Sequence, residues 1–434
     1  MADTEAHCVV FHPLGFRADG RHWIVGRSDT GPYVTVPQEG MAAIRLLKDG
    51  MSPPEVQQRM LNESGKSIDV EQFVRSMAAL GFIRSMDGHG IDSPPAARPT
   101  LPRVRPGHVR WMLSPVLHGV LVTVALTGLI MMAARPELRP HWGDLLWSDH
   151  GSPALLGDAA LTWLLILFHE LAHLFTARAA DVPGVIRMGT RLQFLVVQTD
   201  VSGVWLRERP TRIAVYLSGM MLDLTVFGGC ILLEAATGSS RLLSVVAVTE
   251  LGAVAAEFMV FMRTDLYFLL QDLLGCRNLY RDALQYCQHV LTRCLGRATS
   301  SPLSGLDRVE RRSVRTYAVL MAIGSAACVL LVFLGWTNVT LVLLAHSADE
   351  FLTAPNWLSV ADALATTLML IGVQALWANA WWRRHGTAVR NSWRPSGRPR
   401  RRGKHDGIPL PTGHPTHNPE GPEGSWQPRV SEGS

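Results

Sequence analysis

His169, Glu170 and His173 interrupt a run that is otherwise apolar, Trp163-Leu-Leu-Ile-Leu-Phe-His169-Glu170-Leu-Ala-His173-Leu-Phe. On a helix, histidines four apart share a face and can hold one Zn²⁺ ion. The glutamate between them can act as general base toward a water on that ion. Ionisable groups are costly in lipid, so such a cluster in an apolar helix marks either a functional centre or a polar seam between helices. A hydrolytic zinc site usually takes three protein ligands and keeps one position open. The third must come from another helix at the same depth. Asp265 lies near the cytoplasmic end of a later apolar segment, at a depth matching His169 and His173, and is the expected ligand. Asp223, in the middle of the intervening segment, is the alternative, and Glu257 sits about two helical turns deeper than Asp265. Without a metal, Asp265 would pair with Arg263 at the interface, and Asp223 would be a buried carboxyl bonded to a neighbouring helix. With one, the ion acidifies water and polarises a scissile carbonyl, and Glu170 passes the proton to the leaving amine.

The elements that must position these groups read as a polytopic α-helical membrane domain. About six segments are apolar and long enough for a lipid bilayer, near 111–134, 154–179, 211–235, 242–271, 315–345 and 357–382. Arginines gather before the first (Arg98, Arg103, Arg105, Arg110), between the second and third (Arg187 to Arg212), between the fourth and fifth (Arg277 to Arg315), and after the last (Arg383, Arg384). All these connections fall on one side, which puts both termini of a multi-pass cell-membrane protein in the cytoplasm. The net charge of +5 arises partly from these loops and the tail, so it reports topology, and no nucleic-acid partner is expected. The first residues lack the apolar stretch of a cleavable signal. The cysteines are scattered and suggest no disulfide framework. Cys276, Cys287, Cys294 and His289 contain no CxxC pair to support a second metal site.

Residues 8–87 read as a small α+β domain. Trp23-Ile-Val and Tyr33-Val-Thr-Val are β-prone runs around Asp29-Thr-Gly-Pro, a hairpin signature. Met41, Ile44 and Leu47 share a helical face closed by Gly50; Ser52-Pro-Pro-Glu55 is a capping box; Asp69 caps a helix carrying Val70, Phe73, Val74, Met77 and Leu80, ended by Gly81. Phe82-Ile83 resumes a strand. Residues 88–110 form a linker rich in proline and arginine, 111–385 the transmembrane domain, and 386–434 a basic tail too polar to order, with Arg400-Arg-Arg-Gly-Lys404 as a lipid anchor.

The order of strands, three helices and a return strand in 8–87 resembles the winged-helix-like PqqD-like domain that recognises leader peptides in ribosomal peptide modification. The likeness is carried by Leu46-Leu47-Lys-Asp-Gly50, Glu55-Val56, and Phe73-Val74 through Leu80-Gly81-Phe82-Ile83. Residues 110 to 385 resemble the site-2 protease family of intramembrane zinc metallopeptidases, in its peptide zinc metalloprotease branch. The carrying residues are His169-Glu170-Leu-Ala-His173, Thr199-Asp200-Val-Ser202, Ser218-Gly219, Arg263-Thr-Asp265-Leu-Tyr267 and Asp272-Leu-Leu-Gly275-Cys-Arg-Asn278-Leu279. The resemblance implies a zinc metalloendopeptidase with Glu170 catalytic and His169, His173 and Asp265 on the metal, Asp265 standing for the aspartate of the family's Leu-Asp-Gly motif. Leu266 replaces that glycine, and neither Asn nor Pro precedes Asp265. The implied substrate is a peptide, the leader or precursor of a ribosomally made modified peptide, with modifying or export proteins of that pathway as further partners. A catalytically silent protein that binds or helps export such a peptide is the alternative, and a metal-free transporter with a polar seam a third. The apolar run Leu192-Gln-Phe-Leu-Val-Val197 could offer an edge strand to an extended peptide or pack internally.

Overall fold

The computed structural model describes residues 8–20, 22–27, 33–65, 69–92, 98–148, 150–191, 194–276, 278–296, 302–331, 341, 344–345, 347–349, 351–352, 356–392 and 429–431. The first 80 or so residues build one core from the strands and helices read in the sequence together with three further strands. β1 (Val9–Phe11), β2 (Gly15–Asp19), β3 (His22–Gly26) and β4 (Tyr33–Pro37) precede α1 (Gln38–Lys48), α2 (Pro53–Ser64) and α3 (Val70–Ala79), and β5 (Ile83–Met86) with β6 (His89–Gly90) closes the domain. β2, β3 and β4 form an antiparallel meander, and β5 returns to pair with β1. The expected hairpin is present; its turn at Asp29-Thr-Gly-Pro lies outside the described residues. Strand alternation points Val34 and Val36 inward onto Ile44 and Leu47 of α1 and Phe73 and Met77 of α3. Ser52 donates its N–H and its hydroxyl to Glu55, each at 2.8 Å, which holds that carboxyl below its ordinary range. Asp69 accepts from the Gln72 amide at 2.8 Å, as its capping role required.

The second part is helical. A single turn, α4 (Pro106–Val109), leads into α5 (Pro115–Ala134) and α6 (Gly151–Ala179). A hairpin of β7 (Val185–Arg191) and β8 (Phe194–Asp200) and a 3-10 turn (Ser202–Leu206) lead to α7 (Arg209–Thr237), α8 (Arg241–Glu257), α9 (Asp265–Leu273), α10 (Leu279–Cys294), α11 (Arg308–Leu331) and α12 (Trp357–Ser392). Among the described residues four helices are long and apolar enough to cross a membrane: α5, α6, α7 and the Trp357–Leu376 part of α12. Val116, Val120, Leu126 and Ile130 of α5 and Leu364, Leu368, Ile371 and Leu376 of α12 are exposed, an outward apolar surface suited to lipid.

Six such helices were expected, and two segments differ. The fourth, 242–271, is broken. α8 ends at Glu257, Val260–Met262 makes a 3-10 turn, and Arg263 takes a left-handed φ of 60° before α9 starts at Asp265. The Asp265 N–H, which loses its intrahelical partner at the break, donates instead to the Glu257 carboxylate across the turn at 2.8 Å. The fifth, 315–345, begins earlier, at Arg308, and is described as a helix only to Leu331; residues 332–340 lie outside the described residues. The tail also departs from expectation. α12 runs through Ser392, and β9 (Arg429–Ser431) pairs antiparallel with β4, placing Val430 opposite Val34. The pairing supplies partners to the edge of β4. The Arg400–Lys404 run lies outside the described residues.

Close contacts tie the parts together. The linker is anchored where Thr100 donates its N–H to the Gly184 carbonyl at 3.0 Å and its side-chain oxygen accepts from the Ile186 amide at 2.9 Å. Gly15 of β2 meets the 3-10 turn after β8: a Cβ there would lie 2.3 Å from Leu206 Cδ1. Asp362 of α12 accepts from the Gly151 and Ser152 amides at 2.8 and 3.0 Å and so caps α6. α5 and α7 cross backbone to backbone at Gly128 and Gly228, where a Cβ on Gly228 would lie 2.6 Å from the Val124 carbonyl oxygen.

Gly228→Ala should therefore destabilise the folded protein by about 1–3 kcal/mol through overpacking. A Cβ on its neighbour Gly229 would meet nothing within 4 Å, so Gly229→Ala should be neutral or slightly stabilising. Thermal unfolding of the two variants in detergent checks the contrast, and equal effects would contradict the crossing.

Candidate metal centre

α6 carries His169, Glu170 and His173, α7 runs alongside it, and the start of α9 brings Asp265 to the same point. The Asp265 Oδ2 atom lies 2.6 Å from His173 Nε2 and 3.0 Å from His169 Nε2, and the two Nε2 atoms are 3.1 Å apart. The sequence-predicted set of His169, His173 and Asp265 is thus assembled from two helices far apart in sequence, and it is the one His/Cys/Asp/Glu group of this kind among the described residues. The centre is mostly shielded: His173 and Glu170 are buried.

The other ring nitrogens determine what faces inward. His173 Nδ1 is 2.7 Å from the Val215 carbonyl oxygen, which can only accept, so Nδ1 carries the proton. His169 Nδ1 is 2.7 Å from Asp223 Oδ2 and donates to that carboxylate in the same way. In the neutral rings both Nε2 atoms are then bare lone pairs, and they converge with the Asp265 carboxylate. A divalent cation satisfies all three acceptors together. The separations of 2.6, 3.0 and 3.1 Å fall about 0.2 to 0.7 Å below the roughly 3.3 Å expected between ligand atoms on a tetrahedral ion with bonds of about 2.0–2.1 Å. Nitrogen and carboxylate donors of this kind suit Zn²⁺, and partners on both outer nitrogens are the usual means of orienting zinc-bound histidines.

α7 makes room for the cluster at Gly219. A Cβ there would lie 2.4 Å from His169 Nε2 and 2.5 Å from His173 Nε2. Asp223, weighed as a third ligand, instead holds His169 from the outside. The ion pair expected for an unligated Asp265 is not formed: among the described residues no Arg263–Asp265 pair lies within bonding distance, and the Arg263 guanidinium sits 5.5 Å from the centre of the Tyr280 ring. Arg212 of α7 and Asp272 near the end of α9 form a buried ion pair that fastens α9 to α7, with Nε to Oδ2 at 3.3 Å.

Glu170, one residue along from His169, accepts at Oε2 from the Thr199 hydroxyl at 2.6 Å; the same hydroxyl is 3.1 Å from the Glu170 carbonyl oxygen. Thr199 belongs to β8, so the hairpin is fastened to α6 at the glutamate. The sequence marked Thr199 without a role, and it marked neither Val215 nor the packing purpose of Gly219. A backbone carbonyl leaves no trace in residue type. The close approach of α7 could have been suspected only from the Ser218-Gly219 pair.

The chain has no matching family model, and no curated protein or solved structure matches it.

Zinc content of purified variants tests the assignment of roles. Asp265→Ala should lose zinc more completely than Asp223→Ala, because one removes a donor and the other an outer-shell partner expected to be worth about 10- to 100-fold in affinity. Gly219→Ala should also lose zinc, with both imidazoles displaced. The reverse order for the two aspartates would move the third ligand to Asp223.

Proposed function

We propose that the chain is an intramembrane zinc metalloendopeptidase that cleaves a peptide, and that its front domain captures the leader or precursor of a ribosomally made modified peptide. The observation that carries this reading is the convergence of His169 Nε2, His173 Nε2 and Asp265 Oδ2 beside Glu170, in a bundle whose α6 and α7 are apolar enough for a membrane. Bound Zn²⁺ supplies Lewis acidity, which makes water a competent nucleophile near neutral pH and polarises the scissile carbonyl. Glu170 accepts a proton from the attacking water at the carboxylate oxygen that Thr199 leaves free. It then delivers the proton to the amide nitrogen as the C–N bond breaks, so that a carboxylic acid and an amine leave. Asp223 and the Val215 carbonyl keep the histidine rings aimed throughout.

The substrate must be extended, since a helix hides its peptide bonds. β8 favours this. Among the described residues it pairs with β7 alone, so its other edge has no strand partner there, and Thr199 sets it against Glu170. The front domain rests on the 3-10 turn that directly follows β8, near this edge. A peptide held there has its cleavage segment at high local concentration near the centre.

Glu170→Gln should keep zinc and abolish cleavage in a detergent or liposome assay, because shape is kept and the base is removed. Near-normal turnover by this variant would overturn Glu170 as the base and the metallopeptidase reading with it, and absence of cleavage by the wild-type chain would leave a peptide-binding or export role. Deletion of residues 1–87 should weaken processing of a full precursor far more than that of a short peptide containing only the cleavage site. Equal losses on both substrates would make the front domain scaffold alone.

A further inference from the structure

We infer that Glu257 is a positioning residue: it closes the turn between α8 and α9 and so sets where Asp265 presents its carboxylate. The inference rests on the metal reading of the His169, His173 and Asp265 cluster. Asp265 is the first residue of α9, where backbone N–H groups have no partner within the helix. The residue in the capping position, Thr264, makes no side-chain cap bond. Its hydroxyl is donated backward instead, to the Glu257 carbonyl oxygen at 2.6 Å. The Asp265 N–H goes to Glu257 Oε2 at 2.8 Å. Main chain and side chain of one residue therefore accept from two consecutive residues, and the segment from 257 to 265 is closed at its neck.

The rest of the turn is held from α11: the Tyr317 hydroxyl donates to the Val260 carbonyl at 2.9 Å, and Phe261 packs against Gly324, where a Cβ would lie 2.4 Å from the ring. Neither contact reaches Asp265. Glu257 alone among these residues bonds the backbone of the third donor.

Zinc competition titration on the full chain in detergent measures the effect, with thermal unfolding of the metal-free protein and hydrogen exchange across 258–268 alongside. Glu257→Ala should raise the zinc Kd about 10- to 100-fold, the usual cost of removing an outer-shell partner, and should speed exchange of the Asp265 amide. Glu257→Gln keeps an oxygen that can accept the same bond and should stay within a few-fold of wild type. Wild-type zinc affinity in Glu257→Ala overturns the inference. So does an equal loss in the Gln variant, or a loss explained by a general fall in thermal stability with unchanged exchange at Asp265. If the Ala variant does not fold, Thr264→Val removes the other bond of the pair, and its Kd must rise several-fold for the inference to stand. A wild-type chain that binds no zinc would overturn the metal reading, while the exchange experiment would still decide whether Glu257 holds the turn.

Discussion

His169 turns one ring nitrogen to Asp223 and His173 turns one to the Val215 carbonyl, which leaves both Nε2 lone pairs aimed at the Asp265 carboxylate. With both rings neutral and protonated at Nδ1, three acceptors meet with no donor between them and repel, and in a shielded setting that repulsion is not relieved by water. A cation at the centre reverses its sign. Much of the surrounding architecture can be read as what is needed to hold these groups in place against it. Asp223 and Val215 come from α7, Asp265 from α9, and α9 is fastened to α7 at its far end by the buried Arg212–Asp272 pair.

Close helix approach is the second requirement. Side chains of this cluster on neighbouring helices meet only if backbones come near, and glycine permits that. Gly219 gives the imidazoles their space, and Gly128 with Gly228 lets α5 lie directly on α7. These positions serve packing, yet they act on the centre because α7 supplies both outer-shell partners of the histidines. The same logic reaches α12, which caps the start of α6 through Asp362.

A physical path also joins the front domain to the centre. β2 and β3 touch the 3-10 turn after β8, Thr199 of β8 bonds Glu170, and the linker is pinned through Thr100 to the start of β7. The domain is thus seated near the hairpin and not merely tethered. The pairing of β9 with β4 means that one exposed edge of the front domain already carries an extended segment of the same chain.

Residue types and their spacing determined the histidine pair and the glutamate, the expectation that Asp265 meets them, the caps, the three helices and the central hairpin of the front domain, and four membrane-length helices. These are local properties: periodicity, charge and capping are written within a few residues. The tertiary structure alone decided the rest. Hydropathy made 242–271 a single span, because it averages over Glu257 and Asp265 and cannot see that each has a partner across a turn. Composition made the whole tail unstructured, because three residues contribute little to it, yet Arg429–Ser431 pairs with a strand near the other end of the chain. The ring orientations of His169 and His173, the bond of Asp223 to His169 and the space at Gly219 depend on which backbone stands opposite, and that is settled only when α6, α7 and α9 pack together.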